Sequence, residues 1–193
     1  MAEPLAAAGA ATRHSDFSGW MLAEQPRIFR ICQRMLGDSD EASSATQDVF
    51  LKAYQAWERT AAELDDPARW VTRIAVNTCL DRLRSRRWQF WRKRPDGPDE
   101  EIILAMAPAR EPDGEAQVFA RQIARRLAAA LDQLSPRQRA VFTLRHFEDY
   151  ALEDIASQLG LDVGTVKAHL ARAVAKLREE LKDLYGMSRG ERT

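Results

Sequence analysis

The sequence predicts an all-α protein of two small helical domains joined by a flexible acidic linker, the C-terminal domain carrying a helix-turn-helix. Three observations predict it. Apolar residues recur at three-and-four spacing along most of the 193 residues, whereas β-branched residues are scattered and never alternate over a sustained stretch. Residues that cap or end helices, among them Gly37, Asp66, Ser135 and Asp162, punctuate that pattern at helical intervals. The pattern lapses over 95–114, where Pro95, Pro98, Pro108 and Pro112 gather with an excess of acids.

Residues 1–14 are Ala-rich, contain Glu3 and lack a basic start, so they read as a disordered tail rather than a signal peptide. The first helix is expected over 16–36, bent or interrupted near Pro26, and ended by Gly37, a residue suited to the left-handed position after a helix. A second opens at Asp38 or Ser39 and runs to about 58, with Ala42, Ala45, Val49, Phe50, Ala53 and Trp57 as its core stripe. Asp66 can cap free amides and Pro67 is tolerated in a first turn, so a third helix starts there and continues through Trp70, Val71, Ile74, Ala75 and Thr78. These elements make a first domain over 15–94. A linker follows over 95–115.

The second domain is expected over 116–186, with a short tail over 187–193. Its first helix covers 116–134, and Ser135 with Pro136 opens another that reaches Phe147 or Glu148. A short helix over 152–159, a turn led by Gly160 and a helix capped by Asp162 then form the helix-turn-helix. Leu152, Ile155, Ala156, Leu159, Leu161, Val166 and Leu170 are spaced to lock its two helices together.

Composition excludes several classes. With 45% hydrophobic and 30% charged residues the chain suits a globular protein, and no apolar run approaches the roughly 18 residues a membrane span needs. Cys32 and Cys79 lie far apart inside helical patterns and read as reduced, buried thiols. No metal-binding, phosphate-loop or nucleophile motif is present, so no catalytic residue, metal, cofactor or small-molecule substrate is expected; His169 has no second ligand at helical spacing.

Charge is segregated although 29 basic residues balance 29 acidic ones. Residues 82–94 hold seven basic side chains and no acid, while 95–115 hold seven acids against Arg110. In the last helix, Val166, Leu170, Ala173, Leu177 and Leu181 share one buried face, which turns Lys167, His169, Arg172 and Lys176 outward. Outward basic side chains at this point neutralise phosphates, and Arg or Lys can also pair with a guanine edge in the major groove. In the first basic run, Arg82, Arg84, Arg86, Arg87, Arg92, Lys93 and Arg94 interleave with Trp88, Phe90 and Trp91. Those aromatics either stack on bases or pack over the domain core.

Two stretches resemble the extracytoplasmic-function sigma factors, the compact two-domain class of bacterial RNA polymerase sigma subunits. The first is Asp48-Val49-Phe50-Leu51-Lys52-Ala53-Tyr54 followed by Trp70-Val71-Thr72-Arg73-Ile74-Ala75-Val76-Asn77-Thr78. The second is Leu134-Ser135-Pro136-Arg137-Gln138-Arg139 followed by the helix-turn-helix with Gly164-Thr165-Val166-Lys167 and Arg172-Ala173. The resemblance covers about 16–184 and implies a non-enzymatic protein whose partners are core RNA polymerase, promoter DNA and an anti-sigma factor that is often membrane-anchored. It implies polymerase binding through Asp48, Lys52 and Gln55, and melting of the minus-10 element by Asn77, Asp81 and Arg84 with Arg86 and Arg87 of the basic run. The loop 59–66 would form much of a pocket for an extruded base. Thr165, Lys167, Ala168, His169, Arg172 and Lys176 would read the minus-35 element, and the acidic linker would thread the polymerase's positively lined cleft.

Ala168, His169 and Ala171 stand where relatives commonly have longer or more polar residues, so the minus-35 sequence is not read from them. The implied location is the cytoplasm, with the anti-sigma factor holding the protein at the inner membrane face. A rival resemblance joins 134–176 to the DNA-binding domain of response regulators, which would bind duplex as a dimer without polymerase. The helical N-terminal half lacks the α/β pattern of a receiver domain.

Overall fold

The computed structural model describes residues 4–60, 64–89 and 114–182. The tip of the expected base pocket, residues 95–113 of the acidic linker, Phe90, Trp91 and the C-terminal tail lie outside them. Among the described residues there are helices and turns only: α1 Pro4–Leu36, α2 Ser39–Thr60, α3 Pro67–Gln89, α4 Gly114–Asp132, α5 Pro136–His146, α6 Leu152–Leu159 and α7 Val163–Glu180.

Local chemistry sets most of these boundaries where the sequence places them. Gly37 has φ +73° and its N–H donates to the Gln33 carbonyl, which closes α1 in the left-handed conformation that favours glycine. Asp38 Oδ1 accepts the Glu41 amide at 2.8 Å and Asp66 Oδ1 accepts the Arg69 amide at 2.9 Å, each satisfying a first-turn donor. Ser135 and Gln138 form a reciprocal capping box, with Pro136 in the first turn.

Two expectations for α1 need correction. The helix runs without interruption through Pro26, which lies on the exposed side of α1 near the exposed Leu22. The carbonyl left unbonded by proline can there be hydrated. The helix also starts at Pro4, not near residue 16, so the stretch read as a disordered tail is helical from that point. Ala6, Ala7, Ala8, Ala10 and Ala11 explain this, since alanine has the highest helix propensity.

Helices α1, α2 and α3 pack pairwise. Ile28, Ile31 and Met35 of α1 and Val71 and Val76 of α3 are buried against Ala42, Ala45, Val49 and Ala53 of α2, whose small side chains permit close helix approach. An aromatic cluster closes one end, with Trp20 and Trp57 stacked at 4.8 Å and Phe17, Phe50, Tyr54 and Trp70 around them. Cys32 and Cys79 are free and buried in this core. Their mutual hydrogen bond draws the Cys32 thiol down against its burial, while that bond and burial push Cys79 well up.

The C-terminal helices do not stand apart. Helix α5 packs on α1 and α3, and α6 packs on α3. Ala140, Val141, Leu144, Tyr150, Ile155, Ala156 and Val166 belong to the same buried cluster as the N-terminal core. A second, smaller cluster of Ala130, Leu131, Leu134, Ala173 and Leu177 joins α4 to α7. The two helical domains are thus in contact in the structure, through α5 and α6, whose apolar residues join the N-terminal cluster.

Candidate nucleic-acid interface

Helix α6, a turn and α7 form the helix-turn-helix. Gly160 ends α6 with φ 61°, and Asp162 caps α7 by accepting the Thr165 amide at 2.8 Å and its hydroxyl at 2.6 Å. These bonds hold the Asp162 carboxyl below its usual range. Val166, Ala173 and Leu177 are buried as the stripe requires, with Leu170 and Leu181 partly so.

Outside that stripe Lys167, Arg172 and Lys176 are all exposed. Lys167 and Arg172 point to solvent at a spacing of five, about 140° apart around the helix, so they stand on either side of its outward surface. Lys176 is anchored, since its Nζ donates to the Gln133 carbonyl at 2.8 Å at the end of α4. Thr165 and Ala168 are half-buried.

His169 departs from the outward placement expected of it. The ring is half-buried and its Nδ1 is a buried atom with no hydrogen-bond partner. Burial first, then the charges of Arg172 and Arg137, lower its pKa below the ordinary imidazole value. Arg137, in the first turn of α5, is thereby a basic group beside the recognition helix that the site assignment from sequence omits. The signal was present in the Ser135-Pro136-Arg137 segment, because a first-turn residue of one helix can face the flank of its neighbour.

On the N-terminal domain, Asn77, Asp81 and Arg84 are exposed on one face of α3, at spacings of four and three. Asp81 and Arg84 form an exposed ion pair at 3.3 Å. Arg73 is exposed one turn earlier on the same stripe and was also missed. Arg86 and Arg87 fall in the last turns of α3. Arg82 is not a free member of the basic run: it donates to Ser44 Oγ at 3.0 Å and pairs with Asp48.

Helix α2 brings Asp48, Lys52 and Gln55 onto one face by the same spacing. Lys52 Nζ donates to Thr78 Oγ1 at 3.0 Å, so Asp48 and Lys52 are both positioned by α3, and Gln55 is exposed. Leu51, 57% exposed, borders this face, and Tyr54, 42% exposed, lies beyond Leu51 one turn on. Among the described residues no group of His, Cys, Asp or Glu could hold a metal ion, and no helix is long and apolar enough to cross a membrane.

The fold and site define a helical protein in which a helix-turn-helix rests on a three-helix domain with a separate polar stripe. Comparison with known proteins identifies that combination. Residues 13–89 match Sigma-70 region 2, and residues 124–177 match Sigma-70, region 4. The RNA polymerase sigma-E factor of Streptomyces avermitilis is 31% identical over 92% of this chain and 93% of its own length. The ECF RNA polymerase sigma factor SigW of Bacillus subtilis is 30% identical over 82% of this chain and 84% of its own.

The fold is similar to that of the sigma factor RpoE from Bartonella quintana, solved with the anti-sigma factor NepR: TM-score 0.65, 24% identity, 86% of this chain and 97% of that one. It is also similar to CnrH, solved with the cytosolic domain of CnrY: TM-score 0.59, 20% identity, 93% of this chain and 96% of that one. The chain belongs to the extracytoplasmic-function class of sigma-70 family RNA polymerase sigma factors. It is a transcription initiation factor and not an enzyme, acting with core RNA polymerase at promoter DNA. The response-regulator rival falls because the N-terminal half matches Sigma-70 region 2.

Proposed function

We propose how the sigma-factor activity is distributed over this chain. Residues 15–94 act as the polymerase-binding and minus-10 domain, 95–115 as the linker and 116–186 as the minus-35 domain. Lys167 and Arg172, with Thr165, Ala168, His169 and Lys176 on the same helix, meet the minus-35 duplex, and Arg137 reaches a phosphate beside them. Asn77, Asp81 and Arg84, with Arg86 and Arg87, hold the opened minus-10 strand. Asp48, Lys52 and Gln55, together with the exposed Leu51, bind core polymerase.

The observation that carries this reading is that Lys167 and Arg172, on the second helix of a helix-turn-helix, are both exposed outside its buried stripe. An anti-sigma factor would cover the Asp48, Lys52 and Gln55 face, holding the protein in the cytoplasm at the inner membrane face. The apolar surface of Leu51 and Tyr54 supports an amphipathic helix as its docking element.

In vitro transcription with core polymerase tests the assignment. Arg172→Ala should lower initiation at promoters with an intact minus-35 element while leaving polymerase binding unchanged. If the guanidinium pairs with a base in bidentate fashion, its removal should weaken recognition by about 1–3 kcal/mol at one base position; if it pairs with a phosphate, binding should weaken evenly over all sequences. Unchanged transcription over a promoter panel would remove Arg172 from the site.

A further inference from the structure

The three-helix core holds both cysteines of the chain. Cys32 of α1 and Cys79 of α3 are each 0% exposed, yet they are not isolated thiols, because the Cys79 thiol donates a hydrogen bond to the Cys32 sulfur. Two helices thus present their sulfur atoms to each other across one seam, the arrangement from which a disulfide can close. Arg82, three residues after Cys79 on α3, places a positive charge that favours the thiolate at both positions. The two sulfurs differ in character. The hydrogen bond from Cys79 draws the Cys32 thiol down, which makes Cys32 the nucleophile, whereas that bond and burial keep Cys79 protonated beside it.

The pair also sits under the anchors of a surface. Thr78, next to Cys79, accepts from Lys52 Nζ at 3.0 Å, and Arg82 donates to Ser44 Oγ at 3.0 Å and pairs with Asp48. Asp48 and Lys52 are therefore both placed by α3 side chains within one turn of Cys79. A disulfide needs an S–S distance of about 2.05 Å and Cβ atoms about 3.8 Å apart, which is closer than hydrogen-bonded sulfurs stand. Closing it draws α1 and α3 together. Ala42, Ala45 and Val49 of α2 fill the same core at 0% exposure, and a close-packed interior transmits such a shift instead of absorbing it.

We propose that Cys32 and Cys79 form an oxidisable dithiol, that hydrogen peroxide closes it to an intramolecular disulfide, and that the resulting shift of α3 misplaces Asp48 and Lys52 and weakens binding of core polymerase. The last step rests on the assignment of Asp48, Lys52 and Gln55 as the polymerase face. In the first reaction the Cys32 thiolate attacks one peroxide oxygen, an S–O bond forms as the O–O bond breaks, and the departing hydroxide takes the thiol proton to become water. In the second, the Cys79 sulfur attacks the Cys32 sulfenic acid, the S–S bond forms as the S–O bond breaks, and that oxygen leaves as water with the Cys79 proton. Two thiols lose two electrons and one peroxide becomes two waters. A dithiol reductant reverses the change by thiol–disulfide exchange. Because both sulfurs are buried, peroxide reaches them in molecules that have opened locally, so closure is slow; the neighbouring thiol intercepts the sulfenic acid before it is oxidised further.

Oxidation of the reduced full chain with hydrogen peroxide tests this. The intact mass should fall by two hydrogens, and a tryptic digest without reductant should join peptide 31–34 to peptide 74–82. With helix content retained by circular dichroism, the oxidised chain should bind core polymerase about tenfold more weakly, the scale of one well-placed charged contact, and dithiothreitol should restore both mass and affinity. Cys79→Ala should bind polymerase as the reduced wild type does and should yield no cross-link. If that variant does not fold, the wild-type cycle of oxidation and reduction carries the test alone. Absence of the Cys32–Cys79 link, a link that forms only in denaturant or unfolds the chain, or a link that leaves polymerase affinity unchanged would overturn the proposal. Failure of the polymerase-face assignment is seen separately: reduced Lys52→Ala with normal polymerase binding would move that face elsewhere and overturn the last step, whereas the disulfide is read by mass alone.

Discussion

The N-terminal three-helix domain owns its core, whereas the C-terminal domain divides its own. In the first, α1, α2 and α3 bury Ile31, Val49 and Val71 against one another. In the second, α4 and the far half of α7 form a small cluster around Leu131 and Leu177, while Leu144, Ile155 and Val166 join the N-terminal core. The difference teaches that a DNA-reading module can have a fixed local geometry, through caps and turns, and still depend on its neighbour for buried area.

The sharpest way to break this comparison uses one residue type in two places. Leu144 and Leu131 are 0% and 1% exposed. Truncation of either to alanine should cost about 2–5 kcal/mol. Leu144→Ala should lower the protection of α1 and α3 amides together with that of α5, because its cavity opens in the shared core. Leu131→Ala should act on α4 and α7 and spare α1. Hydrogen exchange resolves the two, and unchanged α1 and α3 protection in Leu144→Ala would show that the clusters are contiguous in space without being coupled in energy.

A smaller effect is expected at the junction itself. A Cβ on Gly37 would lie 2.6 Å from Asp132 Oδ1, and the glycine has φ +73°. Gly37→Ala therefore adds left-handed strain of about 1–2 kcal/mol and displaces the acid that pairs with Arg139. In a double-mutant cycle with Asp132→Ala the steric part should vanish and the backbone strain remain. Purely additive changes in stability would mean that Asp132 yields freely and takes no part in holding the junction.

Local features were legible in the sequence and the junction was not. Gly37, Asp66, Ser135 and Asp162 announce helix ends through chemistry confined to a few residues, and all four act as read. The outward placement of Lys167 and Arg172 follows from helical periodicity. His169 was misplaced because it lies three residues after the buried Val166, on the flank of the stripe, where the packing of α5 decides exposure. Nothing in the sequence singles out Arg27, Arg34 and Glu148, since sequence separation hides that they meet. Arg82, counted with the basic run, is held by Asp48 for the same reason.

Within the C-terminal domain, the start of α5 offers a test of how much local capping contributes beside the shared core. Ser135→Ala removes the hydroxyl that accepts the Gln138 amide and should lower stability by about 1 kcal/mol, read as a shift in the urea midpoint at constant slope. A loss as large as that of Leu144→Ala would mean that the cap, and not buried area, governs this domain.

The smallest expected effect concerns pH, and its sign follows from the lowered pKa of His169. In the unfolded chain the imidazole titrates near about 6.5, whereas in the folded protein it stays neutral to lower pH. Between those values the unfolded state binds more protons, so stability rises with pH through the window and is lost as the solution is acidified from neutrality. His169→Gln keeps a polar side chain without that titration. The wild type should therefore lose more stability than His169→Gln between about pH 7.5 and pH 5.5, with the difference in urea midpoints constant above that range. Because the depression comes from burial and from Arg172 and Arg137, Arg137→Gln should raise the His169 pKa and narrow the window. A His169 pKa at or above the ordinary value, measured by titrating its ring protons by NMR, would place the ring in solvent and return it to the outward face with Lys167 and Arg172.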